Sequence, residues 1–327
     1  MGKGRKYALD WLRAIACIAI MAMHLRQNIS YEIPGFLFNK IVPSFTDFVY
    51  LFMAISSFGL CCGYYQRFTD GKIDWENFYK RRFSKILPFF ITMILLDLVM
   101  GFSFDSLMQG LVEAILFHGF IPVEFNVIGV GWFLGVVFIF YLSFPFFCVL
   151  LKNKKRGWIA FAIFTGLNLI SRYHFDIGRD NFAFSFCFFF IGGMIFLYRD
   201  KIENMKWWYL VPVMIPCIVV YYLKPNTITV ILVTASILAL AVSLDIPSFK
   251  PVSFISGISM EIYLCHMVIF RALERFHILG LLGTGIVPYL ITCILVLIGA
   301  CVMAVCVDFV LDKLMEFISK LSPGHAQ

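Results

Sequence analysis

The chain has 327 residues, of which 61% are hydrophobic and only 14% charged. A soluble domain carries roughly a quarter charged residues, so the composition excludes an ordinary water-soluble fold and predicts an integral membrane protein. A formal charge of +7 would suggest a nucleic-acid partner in a soluble chain; here it is read as loop orientation, and no nucleic acid is expected.

Apolar stretches of about 20 residues, the thickness of a bilayer core, recur along the chain. They lack the strict alternation of transmembrane strands. The expected fold is therefore all-α and polytopic, one integral-membrane domain over 1–327. About ten spans are expected: 8–26, 44–65, 85–103, 129–151, 157–172, 182–198, 207–223, 226–244, 253–271 and 286–308. The leader MGKGRK precedes the first without a small-residue cleavage site, and reads as part of an uncleaved first helix rather than a signal peptide. The stretch 106–118 reads as a short helix lying along the outer surface. With the N-terminus placed in the cytoplasm, 19 of the 27 Lys and Arg fall in inside segments and 7 in outside ones, with Arg13 in the first span. That bias predicts cytoplasmic termini at both ends. No segment outside the spans exceeds about 26 residues, so any chemistry belongs within the membrane or at its edge. No internal repeat is visible, which disfavours transporter folds built from duplicated halves.

The first span, YALDWLRAIACIAIMAMHLRQ, carries Arg13 and His24 eleven residues apart. Eleven steps of about 100° return to within roughly 20°, so the two share one helix face, about 16 Å apart along the axis. Asp10, three residues before Arg13, is spaced to pair with it. Taken singly, Arg13 reads as an arginine snorkelling to the inner interface and His24 as an interfacial histidine. Their joint placement on one face favours function, since an intramembrane ionisable group is by default a functional candidate. At the start of the third span, NFYKRRFSKILPFF clusters Arg81, Arg82 and Lys85. Such a cluster either anchors to anionic lipid or holds phosphate, which suits the planar guanidinium fork. Lesser candidates are Asp97 in the third span, and Glu113, His118 and Glu124 outside it. Trp132 and Tyr141 read as interfacial belt residues. In the ninth span, SGISMEIYLCHMVIF sets Ser259, Tyr263 and His266 at i, i+4 and i+7, one stripe of a helix. His266 lies at a depth comparable to His24, and Glu261, off the stripe, is expected to face another helix or sit neutral. The stripe is either interhelical glue or the lining of a site. The ten cysteines show no CxxC or Cys/His metal spacing and read as small buried hydrophobes, so no metal is expected. HExxH, GxSxG and Gly-rich nucleotide loops are absent.

Three of these patterns, basic-x10-His in the first span, RRxxKIxP entering the third and S-x3-Y-x2-H in the ninth, together resemble the membrane-bound acyltransferase-3 family. That family comprises bacterial inner-membrane O-acyltransferases of surface polysaccharides. FMAISSFGL (52–60) also resembles the family's second-span segment. The chain departs from the pattern with Lys85 where a second arginine is common and Ser57 where glycine is common. Gly135 and Val136 stand where some members carry a glutamate. The resemblance implies an acyl-CoA donor, most often acetyl-CoA, as co-substrate with no resident cofactor. It implies a glycan or lipid-linked saccharide hydroxyl as acceptor, in the bacterial cytoplasmic membrane. By the same resemblance, Arg81, Arg82 and Lys85 bind the CoA phosphates and His24 is the general base. Arg13 orients the donor or stabilises negative charge and Asp10 holds Arg13, while Ser259, Tyr263 and His266 position the acceptor or donate to the oxyanion. Membrane lipid is the expected surrounding partner, and a homo-oligomer is compatible with this picture. The alternatives are a transporter or channel for a small metabolite or glycan precursor, using the same polar groups as a pathway, and a sensor or partner subunit.

Overall fold

A computed structural model describes residues 7–120 and 129–321. The basic leader and Glu124 lie outside the described residues, which are helical with no strand among them. Each apolar stretch expected from the sequence falls on helix. The principal elements are α1 (Tyr7–Asn28), α2 (Leu37–Thr69), α3 (Trp75–Met100), α4 (Phe104–Ala114), α5 (Trp132–Leu151) and α6 (Lys154–Tyr173). They continue with α7 (Phe182–Leu197), α8 (Trp207–Leu223), α9 (Thr227–Ser243), α10 (Lys250–Gly257), α11 (Ser259–Arg275) and α12 (Ile286–Leu321). Several starts are set by Asp, Ser or Asn side chains that accept a first-turn backbone N–H: Asp74, Ser103, Asn153, Asn181 and Asn226.

Length and apolarity alone single out fewer helices than the ten spans expected. Among the described residues, five helices, α1, α2, α3, α5 and α12, are long and apolar enough to cross a membrane. The pair α10 and α11, bent by 75°, makes a sixth if taken as one span, while α7, α8 and α9 are apolar but shorter. The reason is local. α6 opens on Lys154, Lys155 and Arg156, and prolines at 211–216 interrupt the apolar run of α8.

Lipid tails are as apolar as leucine, so tight packing rather than exclusion of water holds such helices together. Phenylalanine supplies much of it. Phe140 of α5 stacks on Phe189 of α7 at 3.9 Å, and Phe147 meets Phe190 edge-on at 4.8 Å. α2 and α7 approach so closely at Gly192 that a Cβ there would sit 2.0 Å from the Ala54 carbonyl oxygen. Two residues expected in an interfacial belt are instead core: Trp132 and Tyr141 are buried. Glu113 and His118, expected on the outer side, are buried against neighbouring helices. The His118 ring fills the space that a side chain at Gly135 would take, and its Nε2 lies 3.3 Å from the Gly131 carbonyl. α4 follows the expectation of a surface helix: Phe104, Met108 and Leu111 are exposed while Glu113 turns inward.

The basic segments assigned to one side of the membrane gather at one end of the bundle. Lys152 lies over the Phe68 ring and Lys154 over the Tyr198 ring. At the opposite end Tyr31 bonds to the Gly285 carbonyl, Ser44 pairs with Tyr222, and Arg179 bonds to Thr46.

Candidate active site

Contacts at both ends show that α1, α3 and α11 run parallel. At the basic end the Ser256 hydroxyl donates to Asp10 Oδ1 at 3.0 Å, and Lys85 Nζ donates to the Gly257 carbonyl at 3.3 Å. At the other end the His24 and His266 rings lie 5.3 Å apart, and Arg271 Nη1 lies 3.5 Å from Asp97 Oδ1. α12 returns antiparallel. Tyr289 near its start donates to the Ala22 carbonyl at 2.8 Å, and Cys265 further along donates to Ala300 at 3.6 Å.

The break between α10 and α11 organises the basic end. A helix that stops leaves its last carbonyls without intrahelical partners, and Lys85 takes the one at Gly257. The Ser259 hydroxyl donates to the Ser256 carbonyl at 3.0 Å, so it is bound into the break rather than aimed at the histidines. Asp10 is buried and lies 3.8 Å from Arg13 Nη1, the pair that their spacing implies. Arg13 reaches toward α2, where a Cβ on Gly59 would sit 3.5 Å from Nη2.

About ten residues along α11 from that break, the stripe comes to its other members. His266 is fully buried, and its Nδ1 lies 2.8 Å from the Tyr263 carbonyl and 3.2 Å from the Ile262 carbonyl. Carbonyls only accept, so Nδ1 carries the proton of the neutral ring. Nε2 is then a bare lone pair, buried and with no hydrogen-bond partner among the described residues. The buried Tyr263 hydroxyl also lacks a partner among them; its ring lies 6.1 Å from His266 and 5.5 Å from Phe133. Buried polar groups are normally satisfied, and these are two neighbours among the several buried polar atoms without a partner among the described residues. His24 lines a cavity of about 190 Å³ that continues to Asn28, Met93, Asp97, Met267 and Arg271. Glu261 is buried and faces the surrounding helices rather than this cavity.

At the basic end the cluster divides. Arg82 lies over the Tyr64 ring at 5.1 Å, and Arg67 approaches the same ring at 5.8 Å. Arg81 turns into a separate cavity of about 220 Å³ with Tyr64, Arg67, Lys72 and Asn77. Asp74 also borders it, but its carboxylate is engaged as the cap of α3. The Asn77 backbone amide bonds it at 3.0 Å and holds its carboxyl below the usual carboxylate range. The wide turn Cys61–Tyr65 presents Tyr64 to these cations. Arg67 and Lys72 were not expected here, since in sequence they count only toward the loop charge bias.

Two more residues emerge only in three dimensions. Arg179, in the connection before α7, folds back so that its guanidinium lies 5.0 Å over the Trp132 ring and donates to Thr46 Oγ1. Arg271 meets Asp97 at the rim of the His24 cavity. Chemically, this end offers an imidazole facing a cavity, a second imidazole with a free lone pair behind it, and a phenol able to donate. Among the described residues no group of three His, Cys, Asp or Glu side chains is placed to hold a metal ion.

A family model described as an acyltransferase domain, acyltransferase-3, matches residues 6–305. No curated protein and no solved structure matches the chain.

Proposed function

The chain belongs to the acyltransferase-3 family, and from that membership we propose that it is an O-acyltransferase of the bacterial cytoplasmic membrane. It takes an acyl group, acetyl in the simplest case, from cytoplasmic acyl-CoA and places it on a hydroxyl of a cell-surface or lipid-linked glycan. The observation that carries this reading is the pairing of partly buried His24 with fully buried His266, set at the far end of parallel helices from an arginine-lined pocket.

CoA phosphates cannot enter hydrocarbon, so the nucleotide stays at the basic end. Arg81, Arg82 and Arg67 offer planar forks suited to phosphate, with the Tyr64 ring between them. The pantetheine arm passes Arg13 and carries the thioester inward to the histidines. A sugar hydroxyl is a poor nucleophile at neutral pH and needs a base. His24 faces the cavity and takes the hydroxyl proton as the oxygen bonds to the acyl carbon. The His24 and His266 rings lie 5.3 Å apart, so a small approach on substrate binding would let the His266 Nε2 lone pair accept an N–H from neutral His24. Such a bond would turn the His24 lone pair toward the cavity, as the partner of one ring nitrogen commonly sets the role of the other. Negative charge developing on the thioester oxygen is met by the Tyr263 hydroxyl. The carbon–sulfur bond then breaks, and the departing thiolate takes the proton from His24 to give free CoA. Neutral His266 has no proton at Nε2, so the donor role belongs to Tyr263.

The test is release of free thiol from acetyl-CoA by the purified protein in lipid nanodiscs. His24→Ala should lower it by at least about 10²-fold with an unchanged thermal unfolding midpoint. Undiminished release in that variant overturns the assignment of the base. Uptake driven by a gradient, without thiol release in the wild type, would instead make the protein a transporter.

A further inference from the structure

Among the cavities, the one beside His24 combines a general-base candidate with an ion pair that the donor has no use for. Its polar wall is His24, Asn28, Asp97 and Arg271; Met93 and Met267 contribute apolar surface. Lys85 and Asp97 sit on one helix, twelve residues and so about 18 Å apart. Lys85 is pinned to the basic end and Asp97 to the end that holds the histidines. A nucleotide bound at Arg81 and Arg82 therefore does not reach Asp97, and the cavity is left for the second substrate.

Its lining has the chemistry of a sugar site. The Asp97–Arg271 contact is a single 3.5 Å approach, with Asp97 Oδ1 and Arg271 Nη1 as the atoms. The side chains are 24% and 57% exposed, so the pair is open to what enters. A carboxylate can accept from two neighbouring hydroxyls, and a guanidinium fork can donate to hydroxyl or ring oxygens on the same edge. Asn28 donates from Nδ2 to the His24 carbonyl at 2.8 Å, which leaves its amide oxygen to accept. Met93 and Met267 give the flat, adaptable apolar surface against which the C–H face of a pyranose can lie. A cavity of about 190 Å³, where one water needs roughly 10–15 Å³ on the same measure, has room for a group the size of a sugar ring.

Building on the acyltransferase reading above, we infer that this cavity is the acceptor subsite. It takes a single pyranose unit, and Asp97 with Arg271 grips adjacent hydroxyls so that a third hydroxyl is presented to His24. The same ion pair joins α3 to α11, so a purely structural role is the rival, and the experiment separates the two.

The probes are methyl α-glucopyranoside, methyl α-galactopyranoside and methyl α-mannopyranoside, supplied with acetyl-CoA to the protein in nanodiscs. The wild type should acetylate at least one, as seen by mass spectrometry of the glycoside. For that glycoside, Asp97→Asn and Arg271→Gln should each raise the KM at least tenfold while the KM for acetyl-CoA moves less than twofold. The charge-swapped double variant, Asp97→Arg with Arg271→Asp, should recover thermal stability lost in the single variants without recovering the acceptor KM. Recovery of both by the swap, or an unchanged acceptor KM in the single variants, overturns the inference, as does acetylation of none of the three while thiol release from acetyl-CoA persists. Absence of thiol release in the wild type would instead defeat the acyltransferase reading itself.

Discussion

In Tyr263-x-x-His266 the imidazole folds back on the carbonyl of its own helix three residues earlier. One bond thus decides which ring nitrogen is the donor and leaves the other as a buried lone pair. The neighbouring Tyr263 hydroxyl is the complementary case, a buried donor with nothing to donate to among the described residues. Tyr263→Phe keeps the ring packed on Phe133 and removes only the hydroxyl. The expected result is a kcat lower by about 10²-fold, as for loss of one oxyanion donor, with the KM for acetyl-CoA unchanged. An unaltered kcat would place that hydroxyl out of reach of the reacting carbonyl. Arg13, His24, Tyr263 and His266 were legible in the sequence because each set lies on one helix, whose period fixes who shares a face. Asp97 with Arg271, and Arg179 with Trp132, were not, because register between separate helices leaves no trace in local spacing. Ser259 was legible as a member of the stripe but not as part of the break, where its hydroxyl is consumed.

The ninth stretch, expected as one span over 253–271, is two helices meeting at 75°. The adjacent Ser256 and Gly257 are the only local cue, of a kind that often bends helices, and no proline marks the spot. Tertiary contacts then hold the bend, through Lys85 on Gly257 and Asp10 on Ser256. The contact of α2 with α7 is the opposite situation, a straight pair whose closeness depends on one missing side chain. Gly192→Val would drive a Cβ to 2.0 Å from the Ala54 carbonyl oxygen, so the helices must separate. Overpacking of this kind costs roughly 1–3 kcal/mol or more, and a lower thermal midpoint in nanodiscs is expected. Gly63→Ala, where nothing lies within 4 Å of the added Cβ, serves as the control and should change little. An equal midpoint for both variants would mean that the α2–α7 contact contributes nothing to stability.

For the whole molecule, composition was enough to give an all-helical membrane protein, and loop charge was enough to sort its two ends. Apolar content alone does not separate a full span from a shorter apolar helix, and five helices meet a strict test of length and apolarity among the described residues. Sidedness itself is open to direct measurement. In a background with the exposed Cys62 and Cys306 replaced by serine, Leu281→Cys and Lys72→Cys place thiols at opposite ends. Leu281 is 85% exposed in the connection before α12, and Lys72 is exposed beside the arginine pocket. A membrane-impermeant maleimide should label position 281 in intact spheroplasts and position 72 only after permeabilisation. The reverse pattern would put the arginine pocket outside and overturn the proposed cytoplasmic donor site.

The parallel course of α1, α3 and α11 has an electrical consequence. Each helix carries a dipole equivalent to about half a positive charge at its N-terminus and half a negative charge at its C-terminus. Here all three N-termini lie toward the arginines, and all three C-termini lie toward Asp97 and Arg271. The acyl transfer proposed above would separate charge along the same line, with sulfur leaving as an anion toward the arginine end and a proton taken up at the histidine end. These three dipoles are aligned with the charge separation of the proposed reaction, while α12, antiparallel beside them, contributes in the opposite sense.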